Sequence, residues 1–164
     1  MPAPTAAVLD TNVMLDWLVF DDPHGLLVGD AVIAGRLQWL MTDAMRDEAI
    51  DVLGRLLTHP PLQRWQARHA SALAAMSRWS AAVDTPSPRL PPGGAERSLQ
   101  CTDRDDQCFI DLAIAHRVPW LLTRDRALLR LARAARPFGV TVLTPQHWCE
   151  ATAPRRTVEA QGAN

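Results

Sequence analysis

Apolar residues fall into two rhythms along this chain. Compact runs at 6–9, 37–41, 118–122 and 140–143 read as buried strands. Between them apolar positions recur at steps of three and four. Val13, Leu15, Trp17 and Leu18 predict a helix over 12–19, and Leu26, Leu27, Ala31 and Ile33 predict a second, closed by Gly35. Thr42 or Asp43 can cap a third, whose face is Met45, Ala49, Val52, Leu53, Leu56 and Leu57. Pro60 and Pro61 end that helix and open another. From Leu62 onward, Trp65, His69, Leu73, Met76, Trp79 and Val83 predict one long amphipathic helix. Two more helices are expected, from about 105 to 116 and from 126 to 135.

This alternation of strand and helix predicts an α/β fold. Its strands lie parallel in one sheet with helices on both faces. The stretch TPSPRLPPGG at 85–94 cannot form regular structure and reads as the one long loop. Polar, small and Pro-containing residues after Glu150 suggest fraying, so the expected division is one domain over 1–150 and a flexible tail over 151–164.

Composition narrows the function classes. At 164 residues the chain can bury one core, and 48% hydrophobic with 21% charged residues is an ordinary globular balance. All 17 basic residues are Arg, set against 18 acidic ones. The net charge of -1 gives no global positive field, so nucleic-acid binding has to be local. Cys101, Cys108 and Cys149 form neither an even set nor a CxxC pair, which argues against a disulfide framework or a zinc site. No basic, apolar leader and no run long enough to span a bilayer stands out, so a cytoplasmic, soluble protein is expected.

Parallel α/β sheets bind ligands outside the carboxyl ends of their strands. Asp10 ends the first strand, Asp125 follows the strand WLLT, and Asp106 opens a helix after the long loop. Glu48 lies in the first turns of the helix after the second strand. Each has a plainer role available. Asp10 and Asp125 can cap helices, Glu48 shares its helix with Asp43, Asp47 and Asp51, and Asp103, Asp105, Asp106 and Asp111 surround a helix start that favours acids. Taken together they say more. Two carboxylates about 5 Å apart repel by roughly 3 kcal/mol at an effective dielectric near 20, which protons or cations must offset. An all-oxygen set favours Mg²⁺ or Mn²⁺ over zinc and suits phosphodiester chemistry.

The ordered motifs VLDTN, DEAIDVL, CTDRDDQCFIDLA and LLTRDRALL resemble the PIN domain across nearly the whole chain. The nearest likeness is to ribonuclease toxins of toxin–antitoxin pairs. That resemblance implies a three-layer α/β/α fold with strand order 3-2-1-4-5, whose third strand would be the weak stretch 81–84. It implies an acidic site of Asp10, Glu48, Asp106 and Asp125 binding Mg²⁺ or Mn²⁺, with Thr11, Asn12 and Thr123 as polar supports. Asp103 and Asp105 stand beside Asp106 as alternatives. Arg104, Arg124 and Arg126 flank the acids as candidates for phosphate contact. The implied partners are an RNA substrate, a protein antitoxin and a second copy of the chain.

Two other functions compete. A haloacid-dehalogenase-like phosphatase would want a second acid at position 12, where Asn stands, and a Lys that this chain lacks. A catalytically silent PIN-fold scaffold would be marked by a lost acid, and all four positions are filled.

Overall fold

The computed structural model describes residues 3–86 and 99–153. Five parallel strands form one sheet in the order β3-β2-β1-β4-β5: β1 is Thr5–Leu9, β2 Leu37–Met41, β3 Ser80–Ala82, β4 Trp120–Leu122 and β5 Thr141–Leu143. The register pairs Ala7 with both Trp39 and Trp120, so β1 is buried on both edges. Its apolar run reflects that position, with Ala7, Val8 and Leu9 all at 1% exposure or less.

The steps from β1 to β2 to β3 go one way across the sheet, and those from β3 to β4 to β5 go the other. Right-handed crossovers therefore place the connections α1 (Thr11–Leu18) and α2 (Pro23–Ile33) on the opposite face from α5 (Gln107–Ala115), α6 (Arg126–Leu129) and α7 (Ala132–Ala135). The remaining helices are α3 (Asp43–Thr58), α4 (His69–Trp79) and α8 (Pro145–Thr152). The α/β class, the parallel sheet and its order are as expected. Gly35 leaves α2 at φ 69°, a left-handed turn that a Cβ would strain.

Two expectations are corrected. The long helix from Leu62 is instead a 3-10 segment at Pro60–Arg68 followed by α4, and residues 80–82 leave helical geometry to become β3. Edge pairing wins there: Val83 N–H donates to Met41 carbonyl at 2.9 Å, while Ser80 Oγ donates back to Met76 and accepts from Arg46. The helix expected over 126–135 is two short ones. A tightened turn, Leu131 N–H to Leu128 carbonyl at 2.9 Å, joins them and buries both leucines. Thr144 caps α8 through His147 N–H at 3.2 Å, and Trp148 anchors this helix in the core. That helix ends at Thr152. Residues 87–94 of the expected loop and 154–164 of the expected tail lie outside the described residues.

Helices α1 and α2 meet at unusually short range. A Cβ on Gly25 would fall 2.8 Å from the Asp16 carbonyl carbon, and one on Gly29 would fall 2.0 Å from the Trp17 indole nitrogen. Trp17 is itself buried and packs edge-on against Trp39, at 5.8 Å between rings, so it has little room to yield. Gly29→Ala should therefore cost about 1–3 kcal/mol in denaturant unfolding, as overpacking does. An unchanged midpoint and slope would show that the contact between α1 and α2 is looser than described.

Candidate active site

Asp10 closes β1 where the strand order reverses between β1 and β4, the crevice in which open parallel sheets bind ligands. Its carboxylate is only 2% exposed. Oδ1 accepts the Val13 N–H at 2.8 Å and so caps α1, and Oδ2 accepts the hydroxyl of Thr123. The capping role and the site position thus belong to the same side chain. Burial pushes the Asp10 carboxyl above its ordinary range, while the Thr123 hydroxyl and the backbone N–H groups of Val13, Arg124 and Asn12 oppose that rise.

The turn after β4 is built around the same contact. Thr123 is fully buried, and its hydroxyl oxygen also accepts the Asp125 N–H at 2.9 Å. Asp125 Oδ1 in turn accepts the N–H groups of Ala127 and Leu128 at 2.6 and 3.2 Å, capping α6. One hydroxyl therefore links the two acid-bearing strand ends. Among the supporting residues, Thr11 is half-buried and Asn12 exposed in the first turn of α1.

Asp106 precedes α5 and makes no capping hydrogen bond. Partial burial first, then the charges of Asp125, Asp103, Asp10 and Glu48, raise its carboxyl to about 6. Asp106 therefore lies within the field of all three other expected site acids. Its neighbours do other work. Asp103 Oδ1 accepts the Asp105 N–H at 3.0 Å, which shapes the turn, and Asp105 is exposed. Gln107, which sequence reasoning passed over, ties this turn down. It accepts from Cys101 N–H at 2.7 Å and donates to the Leu99 carbonyl and to Asp111.

Glu48 is exposed on α3 and borders a cavity of about 460 Å³ shared with Thr42, Met45, Pro86, Cys108 and Asp111. Burial and the charges of Glu48, Asp106 and Asp111 push the Cys108 thiol up to about 12, so it has no nucleophilic character near neutral pH.

The three arginines divide. Arg104 and Arg126 are exposed. Arg124, by contrast, is paired through Nε with Asp16 Oδ2 and through one terminal nitrogen with Asp22 Oδ1, both at 2.7 Å. Asp16 and Asp22 were not singled out from the sequence. Asp22 carries a readable capping signal before Pro23, but Asp16 has no local signature, because its partner stands 108 positions away.

Among the described residues no three acidic, His or Cys side chains stand close enough to share a metal ion. Asp10, Asp106, Asp125 and Glu48 share an electrostatic field here rather than a closed coordination shell. Their chemistry still fits a hard divalent cation. The donors are all oxygen, and the mutual repulsion at Asp106 is of the kind a cation relieves.

The chain matches the PIN domain family over residues 6–127, from β1 to the start of α6, and it belongs to that family. The architecture is accordingly a nuclease-type fold of the kind that typically uses divalent metals. A search of curated proteins finds no match. No helix among the described residues is long and apolar enough to cross a membrane.

The raised carboxyl of Asp106 sets the sign of a pH effect. Between its ordinary value near 3.8 and about 6, the folded state holds a proton that the unfolded state has released. Metal-free protein should therefore be most stabilised by this group below pH 4 and lose that contribution as pH rises to about 6. Asp106→Asn should flatten this part of a stability profile measured in EDTA, and an unaltered slope would place the proton elsewhere. Separately, Thr123→Val leaves a buried carboxylate oxygen without its donor and should destabilise by about 1–3 kcal/mol at neutral pH. A smaller loss in urea unfolding would mean that Asp10 relies on its backbone donors alone.

Proposed function

We propose that this protein is a metal-dependent endoribonuclease, the toxin of a toxin–antitoxin pair. The observation that supports this most directly is the single field joining Asp106 to Asp125, Asp10 and Glu48 at the strand-order reversal. Asp10, Asp106 and Asp125 would hold Mg²⁺ or Mn²⁺, with Glu48 binding directly or through water. Such an ion supplies charge that acidifies water and offsets the charge developing on phosphate oxygens.

The chain's own residues account for the rest. Thr123 and the Val13 N–H orient Asp10, so that its carboxylate has little freedom. Asp125 is held by the two N–H groups it caps. Asp106 holds a proton up to about pH 6 in the metal-free protein, and a bound cation would relieve the repulsion that raises it. Arg104 and Arg126, both exposed and next in sequence to the acids' segments, suit phosphate oxygens along an RNA strand, which compensates locally for the overall charge of -1. The cavity beside Glu48 gives room for nucleotides flanking the scissile bond. The toxin reading brings with it a cytoplasmic location, a protein antitoxin and a homodimer.

The test is cleavage of structured and single-stranded RNAs with Mg²⁺ and with Mn²⁺. Asp10→Asn and Asp125→Asn should each lower the rate by more than the roughly 10–100-fold typical of losing a group one step removed from the metal. Wild-type protein that cuts none of these RNAs faster than Asp10→Asn, also after its antitoxin has been removed, would overturn the proposal.

A further inference from the structure

We propose that Arg124 is a positioning residue for Asp10 and Asp125, acting through Asp16 and Asp22, rather than a contact for substrate phosphate. The inference rests on the metal-dependent reading above and adds to it the device that sets the site's geometry. Arg124 stands between Thr123, whose hydroxyl reaches Asp10, and Asp125, whose N–H reaches Thr123. Its backbone is thus part of the turn that joins the two acids. Its side chain runs the other way, to Asp16 on α1 and to Asp22 at the start of α2, at 2.7 Å each.

One partner is itself held, and the other is closely packed at its backbone. Asp22 Oδ1 also accepts the N–H groups of His24 and Gly25 at 3.0 Å, and Gly25 lets α2 approach the Asp16 backbone closely. A guanidinium held between two carboxylates, one of them fixed by backbone donors, leaves the residue bearing it little freedom. Asp16 depends on this grip, since its side chain is 16% exposed and Oδ2 has no aligned hydrogen-bond donor. A phosphate reaching for the rest of the guanidinium would meet the charges of both acids, in a region that already carries Asp10. The two short helices α1 and α2 thereby brace a turn more than 100 residues away in the sequence, on which the site depends.

The two roles of Arg124 predict opposite results when its acidic partner is removed. Four proteins are compared: wild type, Arg124→Ala, Arg124→Lys and Asp16→Asn. Mn²⁺ binding is measured by calorimetry without RNA, kcat and KM are measured on RNA, and amide exchange is followed at residues 123–125. Arg124→Ala and Asp16→Asn should each weaken Mn²⁺ binding by about 10–100-fold, lower kcat with little change in KM, and speed exchange of the Asp125 amide. Arg124→Lys, which can keep one pair, should fall between wild type and Arg124→Ala.

A rise in KM for Arg124→Ala at unchanged kcat and Mn²⁺ affinity, with Asp16→Asn indifferent or binding RNA more tightly, would overturn the proposal and make Arg124 a phosphate contact. If wild type cuts no RNA, the nuclease reading fails separately, and Mn²⁺ affinity still decides the clamp. If wild type binds no Mn²⁺ either, amide exchange decides it: an Asp125 amide equally protected in all four proteins refutes the clamp.

Discussion

Asp10 is a carboxylate taken almost wholly out of water at the end of the central strand, and much of the site's construction answers the cost of keeping it there. A buried charge is tolerated only when donors surround it. Here they come from two places in the chain that have no other reason to meet: the first turn of α1, through the Val13 N–H, and the turn after β4, through the Thr123 hydroxyl. Because Thr123 also receives the Asp125 N–H, satisfying Asp10 fixes where Asp125 stands. The pairing of β1 with β4 makes this possible, since it places Leu9 opposite Leu122 and so sets the next residues of both strands side by side.

That arrangement stores a conflict that a cation would resolve. Asp106 feels the charges of Asp125, Asp103, Asp10 and Glu48, and without metal it answers by holding a proton into the range near pH 6. Nothing in the packing of the core requires these acids to be near one another, and spreading them over the surface would cost less. A nuclease-type fold that keeps them together is consistent with work done on phosphate in the presence of a divalent ion. The overall charge of -1 fits the proposed function only if affinity for RNA were to come from a metal and a few local arginines rather than from a basic face.

Much of this was legible in the sequence. The runs at 37–41 and 140–143 marked strands because buried parallel strands are continuously apolar, and the expected order of the sheet follows from the family resemblance. The legible features were those whose causes are local. Residues 80–82 look helical in sequence because α4 leads straight into them, and only pairing with β2 turns them into a strand. Asp10 and Asp125 could be picked out from their place after apolar runs, yet nothing local shows that Thr123 joins them. Arg124 read as a free cation beside the acids, whereas the fold spends it on Asp16 and Asp22. Long-range ion pairs leave no periodicity, which is why Asp16 went unmarked.

The central claim is that these carboxylates form one cation site anchored on Asp10 and Asp125. It is tested most directly by thermal unfolding with and without Mn²⁺, comparing wild type with an Asp10→Asn, Asp125→Asn double variant. A site present only in the folded state should stabilise wild type by about 2.7 kcal/mol at 100 times the dissociation constant, and the double variant should gain little of this. Equal stabilisation of the two proteins would contradict the account, because the metal would then be bound somewhere else.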